Sequence, residues 1–234
     1  MICHHYKCVF VHIPKNAGQS IEHVFLNLLD LTWETRAPLL LRYNDKSELG
    51  PPRLAHLKAE EYVRYKYLTQ DMFNEYFKFA FVRNPWSRMI STYKYLGFNK
   101  KCDFKTFLMD TLKNTIFNDE YWFVGPQSDY VYTDAGDLLV DFIGRFEDLQ
   151  NGFDHVCKNI GLPGIQVPHV NESRKNDSIF SLKPKELAKN ILRSLNTKSI
   201  PTYTTYQEYY DQESIDLVAK IYKRDIELFK YDFG

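Results

Sequence analysis

The chain changes from strand to helix at residues 10–20, which read Phe10-Val11-His12-Ile13-Pro14-Lys15-Asn16-Ala17-Gly18-Gln19-Ser20. An apolar, β-branched run that begins at Tyr6 leads into this stretch and is typical of a buried strand. After Ser20 the apolar residues take helical spacing and share one face, with Ile21, Val24, Phe25 and Leu28. The stretch is therefore predicted to contain a loop between a buried strand and the N-terminus of a helix.

A loop in this position favours a phosphate group, because the start of a helix presents unpaired N–H groups and the positive end of the helix dipole. Gly18 would let the ligand approach the backbone, and Lys15 and Ser20 add a cation and a hydroxyl. The spacing of a Walker A loop is absent, since the lysine precedes the glycine. The loop is predicted to bind an anion, and a nucleoside triphosphatase is disfavoured. Taken alone, the pattern also fits an ordinary strand-loop-helix with a surface lysine.

A second strand-helix junction is predicted within residues 77–93. An apolar run ends at Val82, Asn84 is a good N-cap and Pro85 suits the first helical position. Arg83 then stands at the C-terminal end of the strand, and Ser91 lies in the helix. If the two strands are parallel neighbours, both junctions lie at the sheet edge where open α/β proteins bind ligands.

Together the two junctions resemble the nucleotide-binding motifs of sulfotransferases. The pattern Pro-Lys-x-Ala-Gly-x-Ser at residues 14–20 is similar to the 5′-phosphosulfate loop of the Golgi carbohydrate sulfotransferases and their bacterial relatives. The pattern Arg-Asn-Pro-x-x-Arg-x-x-Ser-x-Tyr at residues 83–93 resembles the 3′-phosphate motif of the same family. The resemblance extends over residues 9–233 and is weak between residues 32 and 53.

The resemblance implies that Arg83 and Ser91 hold the 3′-phosphate of the nucleotide and that Arg88 either shares this task or pairs with an acid. It implies that the first loop holds the 5′-phosphosulfate through Lys15, Asn16, Ala17, Gly18, Gln19 and Ser20. Asn16 and Gln19 stand where family loops often have threonine, which removes possible side-chain donors to the sulfonate but keeps the backbone cradle.

His56 lies between the two motifs, at the end of a predicted extended piece and before a short helix. An imidazole with an ordinary pKa of about 6.5 can take a proton from an acceptor hydroxyl at neutral pH. A single histidine is more often structural, but the motif order of the family implies that His56 is the catalytic base, with Lys15 as its catalytic partner. His169 is the rival candidate, and three others compete weakly: His12, His23 and His155.

Two further segments carry candidate residues. Gln127 lies in an aromatic turn at residues 121–128 and could orient the acceptor or a phosphate, although a polar turn in hydrophobic packing fits equally well. In the resembled enzymes a loop at residues 167–177 closes over the nucleotide, which makes Ser173, Arg174 and Lys175 candidates; a solvated charge run is the alternative. The segment at residues 144–149 also resembles the family, where it is mainly structural, so Arg145 and Glu147 receive no role.

The composition limits the possible partners. Thirty basic and thirty acidic residues cancel, so no global field attracts nucleic acid or a membrane surface. No apolar segment is long enough to span a membrane, and the N-terminus lacks the features of a signal peptide, so a soluble, cytoplasmic protein is expected. The four cysteines are expected to be reduced. No metal site is predicted: Cys3, His4, His5 and Cys8 are close in the chain and could in principle gather round a metal, but Cys8 falls inside the first strand.

Three strand-helix units predict a three-layer α/β fold with a mainly parallel central sheet flanked by helices and a helical C-terminal part, in a single domain of residues 1–234. The resemblance makes this fold P-loop-like. It implies transfer of a sulfuryl group from 3′-phosphoadenosine 5′-phosphosulfate (PAPS) to a carbohydrate or another hydroxyl-bearing acceptor, with adenosine 3′,5′-bisphosphate (PAP) as product. An inactive nucleotide- or glycan-binding relative and an ATP-dependent phosphotransferase remain as alternatives. No oligomeric state is indicated.

Overall fold

The computed structural model describes residues 1–116, 121–168 and 200–234. Its four strands form one sheet in the order β1-β2-β3-β4. These strands are β1 Ile2–Cys3, β2 Cys8–Val11, β3 Phe77–Val82 and β4 Phe142–Arg145. Strand β1 is antiparallel to β2, whereas β2, β3 and β4 are parallel to one another. The mainly parallel sheet predicted from the three strand-helix units is thus confirmed.

Helices of varied length connect and follow the strands. The described helices are α1 Gly18–Leu28, α2 Glu61–Arg64, α3 Gln70–Glu75, α4 Pro85–Tyr95, α5 Phe104–Thr106, a π-helix Phe107–Ile116, α6 Tyr121–Val124, α7 Ser128–Val131, α8 Leu149–Asn159, α9 Gln212–Ile221 and α10 Lys223–Phe229. Single turns of 3-10 helix lie at Ala37–Leu39, Ser47–Leu49, Leu54–His56, Phe98–Lys100, Phe146–Asp148 and Gln207–Tyr209. Within the three described ranges, no helix is long and apolar enough to cross a membrane.

The sheet separates two apolar cores, because successive side chains of a strand point to opposite faces. On β3, Phe79 and Phe81 join the core that contains Phe25 of α1 and Phe153 of α8. The alternate residues of β3 join the core built with α4, α9 and α10, which includes Ala80, Val82, Trp86, Met89, Val218 and Phe229. Helices therefore cover both faces, and the predicted three-layer α/β architecture is confirmed.

Several predicted elements are shorter than their apolar patterns suggest. The apolar runs at residues 6–13 and 138–146 each predict a longer strand, yet β2 and β4 contain four residues each. Ile13 and Val140 are buried, so apolar packing continues where strand pairing has stopped. The apolar spacing from Ile215 to Phe229 predicts one final helix, whereas the structure divides this segment into α9 and α10.

The parallel pairing of β2 and β3 positions the site. Phe10 pairs with Phe79 and Val11 with Ala80, so the two strands end side by side. The loop after β2 and the residues after β3 consequently emerge at the same edge of the sheet. This is the juxtaposition of the two junctions that the sequence predicts on the condition of parallel neighbours.

Candidate active site

A cavity of about 460 Å³ lies at this edge of the sheet and is lined by both junctions. The predicted site residues that line it are Lys15, Ala17, Gly18, Gln19, Ser20, His56, Arg83 and Ser91. Other parts of its wall come from Arg53, Tyr95, Phe123 and Phe146, for which no role was predicted. The fold therefore brings together predicted site residues that are up to 76 positions apart in the chain, from Lys15 to Ser91.

The loop between β2 and α1 has a strained backbone. Lys15 and Ala17 have φ angles of 72° and 62°, in the left-handed region that costs an L-residue about 1–2 kcal/mol. Ala17 is the N-cap of α1, and no side chain caps this helix. Strained backbone of this kind occurs at ligand-binding sites, where the surrounding structure enforces it. The loop thus presents a helix N-terminus toward the cavity without a side chain that satisfies it.

Gly18 is required by a close contact within the protein. A Cβ atom at this position would lie 1.8 Å from Nε2 of His12, so only glycine leaves space for that imidazole. The His12 ring is itself fixed, because its Nδ1 lies 2.6 Å from Oε1 of the buried Glu22. The sequence suggests that Gly18 is needed so that a ligand can approach the backbone, whereas in the structure the group that closely approaches it is the His12 ring.

The Lys15 side chain lies over the ring of Tyr95, with Nζ 3.8 Å from the ring centroid. Burial, together with repulsion from Arg83 and Arg88, lowers the pKa of Lys15 to about 8. In the part of the chain that the structure describes, Lys15 has no ion-pair partner. A bound anion would stabilise the charged form of such a partly buried lysine, which supports an anion site at the loop.

Arg83 follows β3 and is held by the helix that follows it. Its Nε and Nη2 atoms donate to Oγ of Ser87 at 3.0 and 2.8 Å, and its Cζ lies 4.0 Å from the centroid of the Phe146 ring. Burial lowers the pKa of Arg83 to about 10, despite the opposing effect of Glu147. Ser87 had no predicted role, although its position four residues after Arg83 could have indicated the contact.

Arg88 performs neither of the tasks expected of it. It is 2% exposed and donates to three backbone carbonyls, those of Pro14, Phe123 and Gly125, at 3.1, 3.1 and 2.9 Å. Its guanidinium is therefore used inside the protein and does not line the cavity. Arg88 fixes the start of the Lys15 loop to the turn that precedes α7.

Asn16 and Gln127 connect the two junctions below the cavity. The Asn16 side chain, expected at the donor site, is 1% exposed, and its Nδ2 donates to the Phe81 carbonyl and to Oε1 of Gln127, both at 2.8 Å. Gln127 also accepts from the Arg83 amide at 2.9 Å and donates to the Arg83 carbonyl at 2.8 Å. Its own amide donates to Asp225 of α10 at 2.7 Å. The packing interpretation of Gln127 is thus the one that the contacts support.

His56 ends a 3-10 turn, where an extended piece was expected, and borders the cavity. Its Nδ1 lies 2.8 Å from the His12 carbonyl, which can only accept, so Nδ1 carries the proton and Nε2 keeps its lone pair. Burial, followed by the charge of His12, holds the pKa of His56 well below its usual range. The imidazole is therefore neutral at neutral pH and can accept a proton at Nε2.

The other candidates differ in their placement. His12, a weak candidate in the sequence, lies beside His56: the two ring centroids are 4.3 Å apart, and both residues line the cavity. Cys3 of β1 and Cys8 of β2 are buried free cysteines that lie opposite each other in the strand register. Nδ1 of His4 lies 2.8 Å from the Tyr76 hydroxyl. Among described residues, no three such side chains could share a metal ion. The following predicted residues lie outside the described ranges: His169, Ser173, Arg174 and Lys175.

Comparison with known proteins identifies the class. The model of the sulfotransferase family matches residues 1–232. An uncharacterized protein of Archaeoglobus fulgidus is 36% identical over 96 residues, which cover 39% of this chain and 73% of that protein. No solved structure gives a significant match. The chain therefore belongs to the sulfotransferase family, and its three-layer α/β architecture is the P-loop-like fold of that family. Its general activity is the transfer of a sulfuryl group to an acceptor substrate.

Proposed function

We propose that this protein transfers a sulfuryl group from PAPS to a hydroxyl of a carbohydrate acceptor, with His56 as the general base. One observation carries the proposal: an uncapped helix N-terminus, the cations Lys15 and Arg83, and the neutral imidazole of His56 line the same cavity. The two cations suit an anionic donor, and the imidazole suits a hydroxyl that must lose its proton.

The donor would bind through both junctions. Lys15 and the amides at the start of α1 would hold the 5′-phosphosulfate, since anions are favoured at a helix N-terminus. Arg83 and Ser91 would hold the 3′-phosphate, for which a planar guanidinium fork and a hydroxyl are suitable donors. ATP lacks a 3′-phosphate and would leave the Arg83 side of the cavity without its anion. The lowered pKa values of Lys15 and Arg83 support this assignment, because bound phosphate would stabilise both cations.

The chemical step requires placement and charge stabilisation more than covalent catalysis. PAPS supplies a sulfuryl group that is already activated by its bond to phosphate. Nε2 of His56 would take the acceptor proton while the acceptor oxygen forms its bond to sulfur and the bond from sulfur to the phosphate oxygen breaks. Lys15 and the amides of the loop would neutralise the charge that develops on the departing phosphate, as in phosphoryl transfer.

An ATP-dependent phosphotransferase is the weaker alternative, because it needs carboxylates that hold magnesium near the phosphates. Glu147, which lines the cavity, already accepts from the Asn84 amide at 2.8 Å and from the Tyr231 hydroxyl at 2.9 Å. Asp141 pairs with Lys78 at 2.8 Å. These contacts commit both carboxylates, which flank β4, to structural bonds.

The donor site is tested by thermal unfolding with PAP, with ATP and magnesium as the comparison. PAP at one hundred times its dissociation constant should stabilise the protein by about 2.7 kcal/mol, which corresponds to a shift of several degrees. Lys15→Ala and Arg83→Ala should lose this shift. The exposed residues Lys100 and Arg64 provide matched alanine controls that should keep it. An equal shift with ATP, or no shift with PAP, would contradict the proposal.

Activity is tested separately, since an inactive relative would also bind PAP. Transfer of labelled sulfate from PAPS to a panel of sugars should fall by about 10²–10⁴-fold in His56→Ala, the usual contribution of a general base. The same variant should keep its stabilisation by PAP, and His5→Ala, at an exposed histidine, should keep both properties. Transfer that persists in His56→Ala would remove the general-base role, and PAP binding without any transfer would favour the inactive relative.

A further inference from the structure

The two histidine rings of the active-site cavity have different neighbours. Nδ1 of His12 lies 2.6 Å from Oε1 of Glu22, a residue of α1 that is 3% exposed. Nδ1 of His56 instead lies 2.8 Å from a backbone carbonyl, that of His12. An ionised carboxylate stabilises a neighbouring imidazolium more strongly than a neutral carbonyl does. The positive form is therefore favoured at the His12 ring and not at the His56 ring.

The buried carboxylate of Glu22 needs a positive partner, because an isolated charge is costly to bury. Within the ranges that the structure describes, its ion-pair partner is His12. The amino group of Met1 also interacts with this carboxylate, but burial lowers the pKa of that amino group to about 5, so it is uncharged at neutral pH. Tyr62, which faces the same carboxylate, can ionise only to an anion. His12 is thus the group in contact with Glu22 that can balance its charge.

The two rings are too close to carry a positive charge each without repulsion. Their centroids are 4.3 Å apart. Burial and then the charge of His12 hold the pKa of His56 well below its usual range, and the charges of Arg53 and of the Met1 amino group act in the same direction. Like charges at this separation oppose each other strongly away from bulk water. A proton on His12 therefore keeps a second proton off His56.

The His12 ring is held in place, yet Nε2 can still take a proton. The Phe10 ring stacks on it at 5.4 Å between centroids, and Glu22 binds Nδ1. A Cβ atom at Gly18 would lie 1.8, 2.0 and 2.2 Å from Nε2, Cδ2 and Cε1. Three such similar distances mean that Gly18 approaches the face of the ring and not the in-plane direction in which Nε2 binds a proton. Protonation of Nε2 therefore leaves the loop where it is.

We propose that Glu22 and His12 form a positioning pair for the general base: the first proton taken up by the two rings goes to Nε2 of His12, so that His56 stays neutral and can take the proton of the acceptor hydroxyl. Unequal environments of two titratable groups assign them different tasks in this way. The charged ring of His12 would also add to the attraction of the donor cavity for an anion, since it lines that cavity. This inference rests on the proposed function, from which the base role of His56 comes.

NMR titration measures the order of protonation directly. The whole chain is labelled with nitrogen-15 in its histidines, and the ring signals of His12 and His56 are assigned through bonds to the backbone. The ring shifts distinguish an imidazolium from each neutral tautomer. As the pH is lowered from the mildly alkaline range, His12 should become an imidazolium first, while His56 keeps a single proton on Nδ1. Protonation of His56 before His12, or of both rings together, would overturn the inference.

Glu22→Gln tests the carboxylate with almost unchanged side-chain shape. Without the negative charge the first proton no longer prefers His12, so the pKa of His56 should rise by about one pH unit, a tenfold change in proton affinity. A base works only in its neutral form, so the fall of kcat/KM for sulfate transfer at acidic pH should begin about one unit higher. Glu22→Asp, which keeps the charge, should behave more like the parent. Glu48→Gln, at an exposed carboxylate, should change neither property.

The outcomes separate a positioning role from a structural one. A Glu22 that only supports packing would alter thermal stability without raising the pKa of His56, so an unchanged or lowered pKa in Glu22→Gln would contradict the inference. If that variant does not fold, the titration of the parent still decides the order. The titration needs no turnover: absence of sulfate transfer would end the proposed function, whereas a wrong order of protonation would end only the role of Glu22 and His12.

Discussion

The two strand-helix junctions of this sulfotransferase resemble each other in architecture but differ in how the helix begins. At the first junction, α1 starts after Ala17 with no side-chain cap and with left-handed backbone at Lys15 and Ala17. At the second, the side chain of Asn84 accepts from the amides of Trp86 and Ser87. The first junction can therefore offer backbone amides to an anion, whereas the second has two of its amides capped and, in the proposed function, would bind an anion through side chains.

Contacts from the second junction explain how the strained loop of the first one is maintained. Asn16, within the strained loop, bonds to Gln127, which holds both backbone groups of Arg83. Arg88, on the capped helix, holds the Pro14 carbonyl. The second junction thus stabilises the conformation of the first, and the strain of the loop is compensated by contacts outside it.

Among changes at the two junctions, the largest effect is expected from removing the cation of the uncapped one. Lys15→Ala should lower turnover by about 10²–10³-fold, the effect of losing one donor to a developing charge. The measurement is the rate of sulfate transfer from saturating PAPS, with Lys15→Arg as the variant that retains the charge. A loss of less than threefold in Lys15→Ala would mean that the backbone of the loop alone stabilises the leaving phosphate.

The next effect concerns the conformation of the same loop. Gly18→Ala places a Cβ against the His12 ring, which Glu22 prevents from moving away, and should destabilise the fold by about 1–3 kcal/mol, as overpacking does. Chemical denaturation measures the change. Gly164→Ala is the matched control, because its Cβ would meet only Asp154 Oδ1 at an ordinary 3.7 Å. Equal stability of the two variants would show that the His12 ring yields easily.

A pH titration tests whether Lys15 of the first junction, and not Arg83 of the second, controls the pH dependence of PAP binding. The pKa of Lys15 is about 8 in the free protein, below the ordinary value of 10.5, and anion binding needs the protonated form. PAP affinity should therefore fall as pH rises above about 8, by at most tenfold (about 1.4 kcal/mol) per pH unit. Calorimetry between pH 7 and 9.5 measures this fall, and Lys15→Arg should flatten it. An unchanged slope in that variant would assign the titration to another group.

The smallest effect is expected at the capped junction. Asn84→Ala should cost about 1 kcal/mol of stability, the usual value of an N-cap, while PAP affinity stays within about threefold. Thr69→Ala is the control, because Thr69 caps α3 in the same way and lies outside the cavity. A large loss of PAP affinity in Asn84→Ala alone would show that the two junctions bind the nucleotide in the same manner.

The sequence by itself determined the local features of both junctions. The apolar runs and turn residues predicted two strands that each lead into a helix, the Asn84 cap and the position of Arg83 at a strand end. These features depend on neighbours in the chain, because capping and helix initiation involve groups within four residues. Most of the expected residues of the two junctions line the cavity, with Asn16 as the exception, because β2 and β3 are parallel neighbours and their ends share one edge.

Only the tertiary structure decided which polar side chains face the cavity and which support it. Arg88 resembles a phosphate ligand in sequence, yet it holds carbonyls up to 74 residues away, and Asn16 turns inward to Gln127 at a separation of 111 residues. Asp225, which accepts from the Gln127 amide, gave no local signal either. Their roles depend on packing between distant segments, and the spacing of residues within a segment does not specify which distant groups it will meet.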